Sequence, residues 1–263
     1  MTDPAGPLLD DLDDLGVPVP LPARPSRVVS LVPSLTESIE VALPGVVVGA
    51  TDYCTHPSTM DVVRVGGSKY PKVDSVIALR PDLVVANVEE NRAEDVQHLR
   101  ANGIPVWVTE AAPTVPVGLA SVRRLLVEAL GAPEPAWLLA AERDWASVPP
   151  MRARAVVPVW RKPWVVLGRD TFAGDVLRRL GIGNAYADDE DRYPRPTLRQ
   201  LREKFDSGAA DLLVLPDEPY LFTDTDGPEA FPGVRYVLLS GRHLTWCGPS
   251  LAEAKNLDLR PKR

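Results

Sequence analysis

The chain is poor in the groups that most often carry chemistry. It has two cysteines, Cys54 and Cys247, and three histidines in 263 residues. Two thiols so far apart in sequence form neither a disulfide framework nor a paired zinc signature, so sulfur chemistry does not decide the compartment. Positive charge is also short, with 29 Lys+Arg against 36 Asp+Glu and a formal net charge of −7. That balance excludes a general nucleic-acid binder, which needs cations to meet phosphates. Apolar runs such as Val46-Val47-Val48 fall far below the ~18–20 residues of a membrane span. Aromatic residues make up only 6%, which makes their clustering informative. What the chain does have is proline: 28 Pro and 18 Gly punctuate a folded chain without reaching the roughly 25–30% of a low-complexity sequence. With 45% hydrophobic residues, it can build one large core or two lobes of about 100–150 residues each.

Residues 1–25 are acidic and Pro-rich, with Asp3, Asp10, Asp11, Asp13 and Asp14 where a secretory signal would carry basic and then apolar residues. The expectation is a mobile or loosely docked arm on a cytoplasmic protein, or an extracytoplasmic one if the start is misassigned.

From Arg27 the pattern alternates. Arg27–Val32 reads as a strand stopped by Pro33, and Ser34-Leu-Thr-Glu37 has capping-box spacing for a helix through Leu43. Val46–Ala50 is a second strand, and Thr51–Pro57 a polar loop at its carboxyl end. A short helix Asp74–Leu79, a strand Leu83–Ala86, a helix Arg92–Asn102 ended by Gly103, and a strand Pro105–Thr109 follow. Helical patterns at Val117–Leu130 and Pro135–Ala146 come next. The second, on the order of 18 Å long at 1.5 Å per residue, could bridge two lobes. Strands at Ala155–Trp160, Trp164–Leu167, Leu212–Leu215 and Val234–Leu239 then alternate with helices at Phe172–Leu180, Thr197–Phe205 and Leu251–Leu257. Strands apolar on both faces and alternating with helices argue for covered parallel sheets. The halves also echo each other: Arg80-Pro-Asp-Leu-Val-Val-Ala86 leads to Glu89 and Glu90, and Ala210-Asp-Leu-Leu-Val-Leu215 to Asp217 and Glu218. Ligands of open α/β sheets gather at the carboxyl ends of strands, so two such lobes would line a cleft with these loops.

The loop Thr51-Asp-Tyr-Cys-Thr-His-Pro57 is the densest cluster of reactive side chains. Cys54 and His56, with Glu89 or Glu90 and His243, are a mixed donor set suited to zinc or another borderline metal; the alternative is a packed thiol and a capping imidazole. Cys54 with His56 as base would be a nucleophile, but such a pair needs an imidazole aimed at the sulfur and held by a third group. Glu89-Glu90-Asn91-Arg92 suits a polar ligand or a solvated helix start. Gly66-Gly67-Ser68-Lys69 lacks phosphate-loop spacing and reads as a turn. Trp160, Trp164, Phe172, Tyr186, Tyr193, Tyr220, Phe222 and Trp246 crowd the second half, as a pocket for a bulky organic ligand would require, or as core.

Arg27-Val-Val-Ser-Leu-Val-Pro-Ser-Leu-Thr-Glu37, Asp52-Tyr-Cys-Thr-His-Pro57, Val65-Gly-Gly-Ser-Lys69, Ala78–Ala86 and Asn102-Gly-Ile-Pro-Val106, with Gly168–Phe172, Leu180–Asn184 and Leu215–Tyr220, occur in an order that resembles the helical-backbone metal receptors. These are class III solute-binding proteins, among them the cobalamin- and iron-siderophore-binding components of ABC importers. The resemblance covers nearly the whole chain after Ser26. It implies two Rossmann-like α/β lobes with parallel sheets (26–132 and 149–263), a single long backbone helix between them (133–148), and a ligand cleft between the lobes. It also implies a monomer that catalyses nothing, requires no cofactor, and carries a corrinoid, a metal chelate or a metal ion as its ligand. Tyr53 falls where the cobalamin binder has a pocket tyrosine, and Tyr193 near a pocket tryptophan. A tryptophan expected near Ser68 is absent, and an acid and an arginine of that pocket become Arg242 and Trp246. For an ABC permease, Asp74 falls at one docking acid, while Arg199 stands near the other.

The expected ligand contacts are Tyr53, Cys54, His56, Lys69 and Glu90 from the first lobe, and Trp160, Arg169, Tyr193, Glu218 and Trp246 from the second, with Cys54 and His56 as metal ligands. The rival is an intracellular enzyme using Cys54, or a metal at Cys54 and His56, on the same scaffold.

Overall fold

The computed structural model describes residues 12–21 and 24–262, and divides them into two compact units. Unit 1 comprises Met1–Ala111 and Leu119–Leu139; unit 2 comprises Ala112–Gly118 and Ala140–Arg263. Residues 1–11, 22 and 23 of the acidic arm lie outside the described residues.

Unit 1 is built on a five-stranded parallel sheet, with strands β1 (Val28–Ser30), β2 (Val47–Ala50), β3 (Val63–Arg64), β4 (Leu83–Asn87) and β5 (Val106–Thr109) in the order β3-β2-β1-β4-β5. The β-branched runs form strands because their side chains pack well on a pleated surface. Val29, Val84 and Val106 share a core with Val76 of helix α2 (Val73–Ala78) and Val96 and Leu99 of α3 (Ala93–Ala101). Each fully buried Val or Leu contributes about 1.5–3 kcal/mol. Helix α1 (Pro33–Ala42) packs against β1 and β2. The expected capping box at Ser34 does not form. Pro33 occupies the first turn and Val32 is the cap residue without a side-chain bond, because the fixed φ of proline is already suited to a helix start.

The amino-terminal segment corrects the expectation of a loose arm. Over residues 12–21 it is docked on unit 1: the Asp14 amide donates to the Val108 carbonyl, buried Asp13 pairs with Arg100 at 2.8 Å, and Asp14 pairs with Arg124 at 2.6 Å.

Helix α4 (Val115–Arg123) continues into a π-helical stretch, Arg124–Ala129, that buries Leu125, Leu126 and Ala129. The helix expected over Pro135–Ala146 is present as α5 (Ala136–Asp144). The chain passes between the units at Ala111–Ala112, within α4 at Gly118–Leu119 and within α5 at Leu139–Ala140.

Unit 2 has a four-stranded parallel sheet of β6 (Ala153–Val156), β9 (Ile182–Asn184), β10 (Leu212–Pro216) and β11 (Tyr236–Leu239), ordered β11-β10-β6-β9. The segment read as one strand at Ala155–Trp160 is divided between β6 and β7 (Pro158–Trp160), and β7 forms an antiparallel hairpin with β8 (Val165–Val166). Helices α6 (Phe172–Arg179), α7 (Leu198–Asp206), α8 (Gly241–Thr245) and α9 (Leu251–Ala254) complete the unit. Thr197 caps α7 as expected, in a reciprocal box with Gln200. Buried Asp175 accepts from Arg179 Nε at 2.7 Å, Arg178 Nε at 3.0 Å and the Val115 amide at 2.8 Å. These bonds fasten α6 to the start of α4. Among the described residues no helix is long and apolar enough to cross a membrane.

Candidate functional site

In unit 1 the loops at the carboxyl ends of the strands are held by amide side chains. Asn91 is buried; its Nδ2 donates to the Ser68 carbonyl at 2.9 Å and its Oδ1 accepts from the Asn87 amide at 2.8 Å. The Asn87 side chain in turn donates to Thr109 Oγ1 and to the Glu110 carbonyl, both at 2.9 Å. Three loops are thereby laced together, which fixes where Lys69, Glu89 and Glu90 stand. Lys69 is exposed and donates to the Glu89 carbonyl at 3.3 Å, while Glu90 is half-buried.

The loop after β2 sorts its residues by direction. Tyr53 is 66% exposed, with its ring edge beside Gly67, whereas its neighbour Cys54 is fully buried. The Cys54 thiol lies 3.1 Å from the hydroxyls of both Thr36 and Thr51, and Arg64 Nη1 holds the loop through the Thr51 and Cys54 carbonyls at 2.9 and 2.8 Å. Burial pushes the thiol above its ordinary pKa against the pull of those hydroxyls. The thiol is packed, as in the alternative weighed for it in the sequence. His56 Nδ1 lies 3.1 Å from Thr55 Oγ1, and His243 is taken by Glu253 at 2.8 Å. Among the described residues no three His, Cys, Asp or Glu side chains gather as a metal site.

In unit 2 the aromatic residues divide between surface and core. Trp164 stacks on buried Phe222 at 6.2 Å and meets buried Phe231 edge-on at 5.5 Å. Trp160, at 44% exposure, stands edge-on to Tyr220 at 5.6 Å. Tyr193 is 40% exposed, and Trp246 is buried. Tyr220 donates to Asp226 Oδ2 at 2.7 Å, and Arg161 pairs with both Asp226 and Glu229 while lying over the Trp164 ring. Arg169 is exposed and paired with Asp170 at 2.7 Å.

Past the carboxyl end of β10, Asp217 accepts from the Gly241 amide at 2.6 Å. Glu218 lies so close to Gly241 that a Cβ there would come within 2.2 Å of its Cγ, so only glycine fits. Burial first, and then the charge of Asp217, raises the Glu218 carboxyl above the ordinary carboxylate range, opposed by a hydrogen bond from Trp246 and by Arg242. Among the described residues its buried Oε1 has no hydrogen-bond partner. Sequence reasoning missed Tyr70, which is 70% exposed with the Arg92 guanidinium 4.7 Å over its ring, and Arg161. Asp74 and Arg199, weighed for permease docking, are both exposed, and Arg199 pairs with Glu203 at 3.3 Å. Two surface cavities of unit 2 include none of the expected contact residues.

No family model matches the chain. It is 29% identical over 185 residues to the uncharacterized ABC transporter substrate-binding lipoprotein YvrC of Bacillus subtilis, covering 65% of this chain and 58% of that protein. It is 24% identical over 196 residues to the vitamin B12-binding protein of Vibrio cholerae, covering 70% of this chain and 69% of the relative. Among solved structures it is similar to the periplasmic heme-binding protein RhuT from Roseiflexus sp. RS-1, with a TM-score of 0.70 and 21% identity over 88% of this chain and 95% of that one. The periplasmic vitamin B12-binding protein BtuF of Vibrio cholerae gives a TM-score of 0.68 at 18% identity, over 88% and 94%. The chain has the α/β fold of these solute-binding proteins, and the resemblance read from its motifs is to the same class. One expectation is overturned: a lipoprotein and periplasmic proteins work outside the cytoplasm, against the cytoplasmic reading of the first residues.

Proposed function

We propose that this chain is a non-catalytic solute-binding protein that captures a small organic ligand, a corrinoid or a haem-type metal chelate, for an ABC permease. The observation that carries the reading is the contrast within the loop after β2. Tyr53 is turned out at the strand end, while the only candidate nucleophile beside it is packed as a neutral thiol. A binding face requires the first, and catalysis by Cys54 would require the reverse of the second. The carboxyl-edge loops are the ligand-contacting face of each unit: Tyr53, His56, Lys69 and Glu90 in unit 1, and Trp160, Arg169, Tyr193 and Glu218 in unit 2. Exposed aromatic rings stack on a flat macrocycle, and Lys69 and Arg169 neutralise its peripheral carboxylates or phosphate. Cys54 and Trp246 support this face from beneath and do not ligate a metal. The similarity to vitamin B12- and heme-binding proteins supports the ligand class, and Asp74 is an exposed acid suited to a permease arginine.

The test is native mass spectrometry of the chain purified from its own host, followed by thermal melting with cyanocobalamin, haemin and ferric siderophores. One of these is expected to co-purify and to raise the melting temperature, since a ligand at 100 times its Kd adds about 2.7 kcal/mol. An unchanged melting temperature with all of them would contradict the proposal.

A further inference from the structure

Trp160 stands on a hairpin that is not part of the four-stranded sheet of unit 2. It is the last residue of β7, which forms with β8 a separate sheet of two strands. A two-stranded hairpin is marginal in water unless something packs against it. The base of this one is held by its backbone: the Leu167 amide donates to the Val157 carbonyl at 2.9 Å, and the Val166 amide to the Pro194 carbonyl at 3.0 Å. The tip, with the turn at residues 161–164, is tied down by side chains.

Those side chains close a circuit. Arg161 follows Trp160 in the chain, and its side chain is 16% exposed. Its guanidinium pairs with both Asp226 and Glu229 and lies 5.3 Å over the Trp164 ring. Tyr220 leads back to the start: its hydroxyl donates to Asp226 Oδ2 at 2.7 Å, and its ring meets Trp160 edge-on at 5.6 Å. The two carboxylates are themselves set by the backbone. The Asp226 amide donates to Thr223 Oγ1 at 3.0 Å, and Glu229 Oε2 accepts from the Gly227 amide at 2.6 Å. Asp226 thus takes Arg161 on Oδ1 and Tyr220 on Oδ2, so one carboxylate locates both the chain beside Trp160 and the ring packed against it. A ring 44% exposed at a hairpin tip would otherwise lose its rotamer freedom at the moment of binding, and fixing it beforehand removes that loss from the affinity.

We propose that Arg161 is a positioning residue: with Asp226 and Tyr220 it fixes the orientation of the Trp160 ring before any ligand arrives. The inference rests on the reading of Trp160 as a ligand contact and adds the residues that make that contact rigid. Fluorine NMR of the full chain labelled with 5-fluorotryptophan reads the free protein, with the Trp160 line assigned by its loss in Trp160→Phe. In Arg161→Met, which keeps an apolar stem against Trp164, the Trp160 line should narrow and move toward the shift of the free amino acid, while the lines of buried Trp107 and Trp145 stay in place. Tyr220→Phe keeps the ring and removes the hydroxyl, and should give a smaller move in the same direction. A double-mutant cycle then reads the affinity for cyanocobalamin or haemin, whichever binds. Arg161→Met should weaken it about tenfold in the wild-type chain and about twofold at most in Trp160→Ala, because a residue that acts through another has little effect once that one is gone. An unmoved Trp160 line in Arg161→Met, movement of all the tryptophan lines together, or an equal loss of affinity in both backgrounds would each overturn the proposal. If neither compound binds, the solute-binding reading fails, and the free-protein spectra still decide whether Arg161 fixes Trp160.

Discussion

In unit 1 the strand ends are laced by neutral amides, with Asn91 and Asn87 joining the loops after β3, β4 and β5. In unit 2 the corresponding region is held by stacked rings and paired charges, Trp164 on Phe222 and Arg161 on Asp226 and Glu229. The first device has no net charge to titrate. The second, together with Asp175 and Glu218, contains carboxyl groups displaced in both directions. The device that holds the unit 2 loops should therefore be pH-sensitive, while the amide lacing of unit 1 should respond to lost hydrogen bonds.

Four substitutions would break or sharpen that contrast. Asp175→Ala should have the largest effect, about 3–5 kcal/mol in denaturant unfolding at neutral pH, because it strands buried Arg179 without its carboxylate. The Asp175 carboxyl titrates below its ordinary value, against the burial that would raise it, because Arg179, the Val115 amide and Arg178 hold the charged form. Its stabilisation is thus complete above about pH 4 and is lost as pH falls through the lowered pKa, where wild type and variant should converge. In unit 1, Asn91→Ala leaves the Asn87 amide and the Ser68 carbonyl without their partner and should cost roughly 2–3 kcal/mol. That cost should be the same at pH 4 and pH 7, and a pH-dependent one would erase the distinction between the two devices. Thr197→Ala removes the reciprocal cap of α7 and should cost about 1 kcal/mol by the same measurement. The smallest effect is expected for Glu218→Gln. The raised pKa of Glu218 means that the folded state holds its proton more tightly, so wild type should lose stability relative to the variant as pH rises from 4 to 7. Parallel stability curves would contradict that assignment.

Much of this was readable from local patterns. The valine-rich runs gave β1, β2, β4 and β5 to within a residue or two at either end, and Thr197 announced its cap. What was not readable has physical causes. β3 is two exposed residues with no apolar pattern, and β9 is a short Gly-containing segment that looks like the tail of α6. The docking of residues 12–21 depends on Arg100 and Arg124, 87 and 110 positions away, so no local reading could see it. At the site, the sequence placed Tyr53, Cys54 and His56 in one loop but could not tell which face outward. Asp52 and Tyr53 form a turn in which the Cys54 amide donates to the Thr51 carbonyl at 3.1 Å, and the hydroxyls of Thr36 and Thr51 receive the thiol on the inner side. Nor could the sequence separate Trp164, packed on Phe222, from the more exposed Trp160.

The central claim is that the carboxyl-edge aromatic residues meet a flat, light-absorbing ligand, and intrinsic tryptophan fluorescence tests it most directly. Titration with cyanocobalamin and with haemin, each corrected for its own absorption, should give saturable quenching with one of the two. Trp160→Phe should remove a large share of that quenching, and Tyr53→Ala should weaken the affinity at least tenfold. Linear, non-saturating quenching with both compounds, or saturable quenching unaffected by both substitutions, would contradict the account.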